Sequence, residues 1–237
     1  MLAILAAVVL LFPRSGAAAG DRPIRILAFG DSLTAGFGLP HADGFVARLQ
    51  GALDERHAGV TLLDGGVSGD TTTGARARLD WALADKPDAA IVELGGNDAL
   101  RGTDPGVTEA NLSAIIDRFE RDRIPVLLSG MIAPPNMGQS YGDSFKAVFS
   151  HIARAHANDP LLIYDPFFLE GLVGRPELAQ NDHIHPNAAG VRAVVARITP
   201  LVLRLAALAR RLPEGTGGTP AGGATTAPAT AGGSRSR

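Results

Sequence analysis

Short, nearly continuous apolar runs alternate along the chain with longer stretches in which apolar residues recur every three or four positions. The runs Ile24 to Phe29, Val60 to Asp64, Ala89 to Leu94, Pro125 to Ser129 and Leu161 to Tyr164 predict strands. Strands that are apolar on both faces belong in a parallel sheet covered on both sides. Helical periodicity fills the intervals, over Gly44 to His57, Thr72 to Ala84, Glu109 to Arg121, Asp143 to Asn158 and Asn187 to Arg211. Regular βα alternation predicts an α/β fold: a three-layer αβα sandwich around a five-stranded, doubly wound, flavodoxin-like parallel sheet. Such sheets bind ligands beyond the carboxyl ends of their strands.

The two ends of the chain break this pattern. Leu2 to Phe12 is apolar and is followed by Pro13-Arg14-Ser15-Gly16 and then Ala17-Ala18-Ala19, a small-residue site suited to signal peptidase. An export signal over residues 1–19 is expected, and with it a periplasmic or secreted protein. The apolar run is too short to span a bilayer stably, and the usual cationic start is missing. Pro213 to Arg237 contains no Leu, Ile, Val, Phe, Tyr or Trp, so a disordered tail is expected over 213–237 and one folded domain over 20–212. At 237 residues with 46% hydrophobic composition, the chain suffices for one substantial core.

Charge and cysteine content narrow the chemistry. A net charge of −2, with both signs mixed along the chain, offers no basic footprint for nucleic acid and no polybasic patch for anionic lipid. The absence of cysteine removes disulfides, thiolate nucleophiles and cysteine-based zinc sites. Hydroxyl, imidazole and carboxylate remain.

Those groups stand where the predicted strands end. Gly30-Asp31-Ser32-Leu33 follows the first strand, Ser68-Gly69-Asp70 the second and Gly95-Gly96-Asn97-Asp98 the third. Asp182-His183-Ile184-His185-Pro186 lies between the fifth strand and the last helix. A serine hydroxyl needs a base to take its proton and a carboxylate to hold that base in the right tautomer. His185 and Asp182 can supply both, and a spacing of three makes a local carboxylate contact easy. Developing oxyanion charge needs donors. The Ser32 amide, the Gly69 amide, which lacks a Cβ beside it, and the Asn97 side chain are candidates.

These four ordered blocks resemble the SGNH hydrolases, also called GDSL esterases and lipases. Phe29-Gly30-Asp31-Ser32-Leu33, Val67 to Thr72, Val92 to Asp98 with Leu100-Arg101-Gly102, and His185-Pro186-Asn187 are similar to a branch of bacterial exported arylesterases and acyl-CoA thioesterase/lysophospholipases. Ala133 to Gly138 and Pro166 to Leu169 are similar to its arylesterases in particular. The resemblance implies Ser32 as nucleophile, His185 as base and Asp182 as its orienter, with Ser32 N–H, Gly69 N–H and Asn97 as oxyanion hole. It implies neither metal nor organic cofactor, and a small ester or lipid substrate; a monomer is expected. His183 is a departure, because related sequences often carry Gly there, and it could compete for Asp182.

Simpler readings stand beside these. Ser32 alone would be a helix cap, and Asp182, His183 and His185 could chelate a metal, though that would leave Ser32 and Asn97 unexplained. Asp31, Asp70 and Asp98 are expected to shape loops. His41, His57, His151 and His156 are expected on the surface, and Trp81 and the phenylalanines in the core. Met137 and Tyr141 are candidates for an acyl or aryl pocket, with walls from Ala99 to Pro105 and Ala133 to Asp143. The mechanism also fits a carbohydrate O-deacetylase. A non-catalytic acyl- or glycan-binding module would use the same cleft, whereas an α/β-hydrolase is disfavoured for want of a Gly-x-Ser-x-Gly elbow.

Overall fold

A computed structural model describes residues 22–212; the expected leader and tail lie outside the described residues. Five strands form one sheet: β1 (Ile24–Gly30), β2 (Val60–Gly66), β3 (Ala89–Glu93), β4 (Val126–Ser129) and β5 (Leu162–Asp165). Their order is β2-β1-β3-β4-β5 and every pairing is parallel. Burial follows position. All of β3 is buried at the centre, while β2 at one edge exposes Thr61 and Asp64.

The helices are α1 (Ser32–Ala35), α2 (Phe45–Asp54), α3 (Thr72–Leu83), α4 (Gly96–Leu100), α5 (Pro105–Arg121), α6 (Gln139–Ala155) and α7 (Ala188–Arg211). Helices α2 and α7 pack on each other, and α5 packs against both α3 and α6. With right-handed crossovers, that grouping puts α2 and α7 on one face and α3, α5 and α6 on the other. The strand order reverses between β1 and β3, and Ser32 and Asn97 follow those two strands. This switch point is where doubly wound sheets open a crevice.

Two short helices, α1 and α4, lie in segments read as turns, because four or five residues show no period. Helix α5 starts at Pro105, ahead of the predicted Glu109, since Asp104 caps it by accepting the Gly106 amide at 2.7 Å and proline suits the first turn. Helix α6 spans 139–155 instead of 143–158.

Trp81 corrects the expectation of a core residue: it is 74% exposed. Ala75, Leu79 and Ala82 form the buried stripe of α3, and Trp81, two residues past Leu79, points away from it. His156 is less exposed than expected: its side chain is 14% exposed and lies 2.6 Å from Glu120. Glu120 is in the last turn of α5, at the sheet edge opposite Ser32.

Candidate active site

Gly30 ends β1 and must be glycine, because a Cβ there would fall 2.0 Å from Thr34 Oγ1 and 2.7 Å from Glu93 Oε2. Asp31 caps α1 by accepting the Leu33 amide at 3.0 Å, as a turn-shaping residue should. Ser32 is the first residue of α1. The chain then leaves the helix through Gly36 at φ 72°.

His185 Nε2 lies 2.8 Å from Ser32 Oγ, and His185 Nδ1 lies 2.6 Å from Asp182 Oδ2. A carboxylate only accepts, so Nδ1 carries the imidazole proton and Nε2 is left to receive one from Ser32. Asp182 Oδ1 accepts the amides of Ile184 and His185, each at 3.0 Å, so a turn rather than a helix sets the aspartate against the ring. Partial burial works to raise the Asp182 carboxyl. The His185 ring, the two amides and the imidazole charge outweigh it and hold the group at about 2. His183 adopts φ 58°, a left-handed conformation that explains the glycine of related sequences. It does not compete for Asp182, whose oxygens are taken by His185 and the two amides.

The oxyanion candidates Gly69 and Asn97 lie in the segments that follow β2 and β3, the two strands flanking β1 in the sheet. Gly69 sits in a left-handed turn at φ 81°, and its carbonyl accepts Arg101 Nη2 at 2.9 Å. Asn97 follows Gly95, at φ 108°, into α4, and its Nδ2 donates to Asp31 Oδ2 at 3.1 Å. One N–H of that amide remains for a ligand. Two braces, one partly and one fully buried, tie the three loops together. Arg78 donates to Asp70 at 2.7 Å and to the Gly30 carbonyl at 3.0 Å. Asp98 accepts the Thr72 amide at 2.8 Å and its hydroxyl at 2.6 Å. Asp70 and Asp98 thus shape loops as expected; Arg78 carries no motif, and nothing local marks Thr72, at the end of the second block, as the partner of Asp98.

Behind the serine lies a second pair of acids. Glu93 is fully buried, and its Oε2 accepts both the hydroxyl and the amide of Thr34, at 2.7 and 3.2 Å. Burial first and the charge of Asp31 second push the Glu93 carboxyl well above the ordinary range. Burial likewise pushes Asp31 up to about 6, against the Leu33 amide, Asn97, the charge of His185 and Ser32.

A raised folded value above an unfolded 3.8 means that the contribution of Asp31 to stability is complete at low pH and is lost as pH rises through about 6. The loss from about pH 4 to about pH 7 is about 2 kcal/mol. Urea unfolding of the parent and of Asp31→Asn across that range should show the variant gaining by that amount; a difference independent of pH contradicts it.

Met137 and Tyr141 come together, lining an open hollow of about 520 Å³ with Pro105, Gln139 and Ser144. The Tyr141 hydroxyl donates to the Thr103 carbonyl at 2.8 Å, so the two predicted wall segments do face each other. A smaller cavity of about 80 Å³ abuts His185 and is lined by Leu169, Leu172, Val173, Leu178 and Ile184. Phe37, expected in the core, is half exposed, and its ring centroid lies 4.7 Å from that of His185.

A doubly wound parallel sheet with serine, imidazole and carboxylate in hydrogen-bonded series at its carboxyl edge, and no nucleophile elbow, is the arrangement of a serine hydrolase of carboxylic esters. The chain belongs to the GDSL-like Lipase/Acylhydrolase family, whose family model matches residues 28–193. It is 37% identical over 183 residues to an arylesterase of Vibrio mimicus, covering 77% of this chain and 88% of the relative. It is 36% identical over 172 residues to thioesterase 1/protease 1/lysophospholipase L1 of Escherichia coli strain K12, covering 72% and 78%. Among solved structures, AlinE4, an SGNH-hydrolase family esterase, is 42% identical with a TM-score of 0.64, over 77% of this chain and 96% of that one.

Proposed function

We propose that Ser32 is the nucleophile of this ester hydrolase, acting on aryl and short- to medium-chain acyl esters, with thioesters and lysophospholipids as further substrates. The observation that carries the reading is the series Ser32 Oγ, His185 Nε2, His185 Nδ1, Asp182 Oδ2, closed at 2.8 and 2.6 Å. The names of the Vibrio and Escherichia relatives support the substrate range.

In this mechanism Ser32 Oγ attacks the ester carbonyl carbon as its proton passes to His185 Nε2. Asp182, charged at neutral pH, stabilises the imidazolium. The oxyanion is held by the amides of Ser32 and Gly69 and the free N–H of Asn97. Collapse expels the alcohol or thiol, which takes the proton from Nε2, and leaves an acyl group on Ser32. Water repeats the sequence in reverse roles.

Asn97 has a dual position: Asp31 fixes one amide hydrogen and the other meets developing charge. Asn97→Ala is therefore expected to lower kcat by about 10²- to 10³-fold with little change in KM; a change in KM alone would remove Asn97 from the oxyanion hole. The substrate range is tested with p-nitrophenyl acetate to octanoate, an acyl thioester and a lysophospholipid. Hydrolysis of the nitrophenyl series is expected, and its absence across the whole panel would overturn the reading.

We infer a folded catalytic domain over residues 20–212, preceded by an export leader over 1–19 and followed by a tail over 213–237. The apolar run and the alanine site support the leader. No helix among the described residues is long and apolar enough to cross a membrane.

A further inference from the structure

The loop that carries His185 has to stay in register with Ser32 through a reaction that breaks the hydrogen bond between them. Among the described residues, hydrogen bonds join the segment after β1 to the 178–187 loop at two places. One is His185 to Ser32 itself. The other is Gln180 Nε2, which donates to the Phe37 carbonyl at 2.7 Å across 143 residues of chain.

Gln180 is held through its side-chain amide nitrogen and through both of its backbone polar groups. The same Nε2 donates to the Pro186 carbonyl at 3.0 Å, so both of its hydrogens are used. Its own amide donates to the His185 carbonyl at 2.7 Å, and its carbonyl accepts the His183 amide at 3.0 Å. Its side chain lies against Gly38, where a Cβ would come within 2.2 Å of Gln180 Oε1. The Phe37 ring packs on His185 from the same segment.

Once Ser32 is acylated its Oγ has no proton to donate, and the direct bond to Nε2 is gone. Deacylation nevertheless needs Nε2 in place: a water oxygen attacks the acyl carbonyl carbon while its proton passes to Nε2, and that proton returns to Ser32 Oγ as the acyl C–O bond breaks. We propose that Gln180 is a positioning residue that clamps the His185 loop to the Phe37 carbonyl, holding the base in register in the acyl-enzyme. The proposal rests on the reading of Ser32 and His185 given above. Its kinetic signature differs from that of a residue that merely stabilises the loop. Acylation starts with the Ser32–His185 bond intact, whereas deacylation starts without it.

The test compares the parent with Gln180→Ala and with Gln180→Glu, a variant of nearly the same shape that removes both N–H donors. Steady-state and stopped-flow hydrolysis of p-nitrophenyl acetate are measured well below the unfolding temperature of each. Both variants are expected to lose kcat by about tenfold to a hundredfold, to lose less in kcat/KM, and to release a burst of about one p-nitrophenol per enzyme before the slow phase. The proposal is overturned by a kcat within about twofold of the parent. It is equally overturned if kcat and kcat/KM fall together without a burst. His185→Ala is measured alongside: if that variant keeps parental turnover the reading of the base itself fails, and if it is inactive while Gln180→Glu is unimpaired only the clamp fails.

Discussion

Ser32→Ala is expected to lower kcat for p-nitrophenyl acetate by about 10⁴- to 10⁶-fold while leaving the unfolding midpoint nearly unchanged. The first half follows from chemistry, since without Oγ there is no atom to form the acyl-enzyme. What remains is catalysis from oxyanion donors and binding alone, about 10³- to 10⁴-fold over water. The second half follows from local structure. Helix α1 is capped by Asp31, not by Ser32, and the Thr34 bonds to Glu93 that anchor the turn do not involve the serine hydroxyl. An alanine at position 32 loses only the bonds to His185 Nε2 and, at 3.5 Å, to Asp31. Turnover within tenfold of the parent would contradict the assignment.

His185→Ala is expected to cost nearly as much, about 10⁴-fold or more in kcat, because nothing else within hydrogen-bond distance of Ser32 Oγ can serve as base. Asp31 Oδ1 accepts from that oxygen only at 3.5 Å, far longer than the 2.8 Å to His185, and its carboxylate is held by the Leu33 amide and Asn97. It caps and orients. The double variant Ser32→Ala with His185→Ala should be no slower than Ser32→Ala alone, since groups acting as a unit are not additive. Asp182→Asn is expected to fall about 10⁴-fold by favouring the wrong imidazole tautomer. Its loop should survive, because the side-chain oxygen can still accept the amides of Ile184 and His185. A double variant far slower than either single one would show that the two residues act separately.

The strands were legible because each is a short, nearly continuous apolar run, and their predicted limits fall within two residues of the observed ones. Three of the four polar blocks were legible because each stands where a strand ends, and a parallel sheet brings those ends to one edge; the fourth, Asp182 to Pro186, was legible from its residue types and spacing in the segment between β5 and α7. Trp81 was readable too. Its place relative to Ala75, Leu79 and Ala82 puts it outside the buried stripe of α3, and residue type misled where period would not have. Glu93 gave a weaker signal, as a carboxylate closing a strand of Ala, Ile and Val, yet nothing local shows that Thr34 would be its partner. Arg78 and Gln180 were not readable at all. Their roles come from the Gly30 and Phe37 carbonyls, which are distant in sequence and carry no side-chain signature. Phe37 was assigned to the core by type; its neighbour His185 is also set by the fold alone.

The central claim is that Ser32, activated by His185, carries the acyl group. It is tested most directly by treating the protein with one equivalent of a fluorophosphonate, digesting with trypsin and locating the phosphonyl group by mass spectrometry. The fragment of residues 26–48 contains Ser32 and no other serine. Stoichiometric labelling of that fragment at Ser32, in step with loss of esterase activity and absent from His185→Ala, is the predicted result. Inactivation with the label on any other residue, or full activity with Ser32 labelled, would contradict the account.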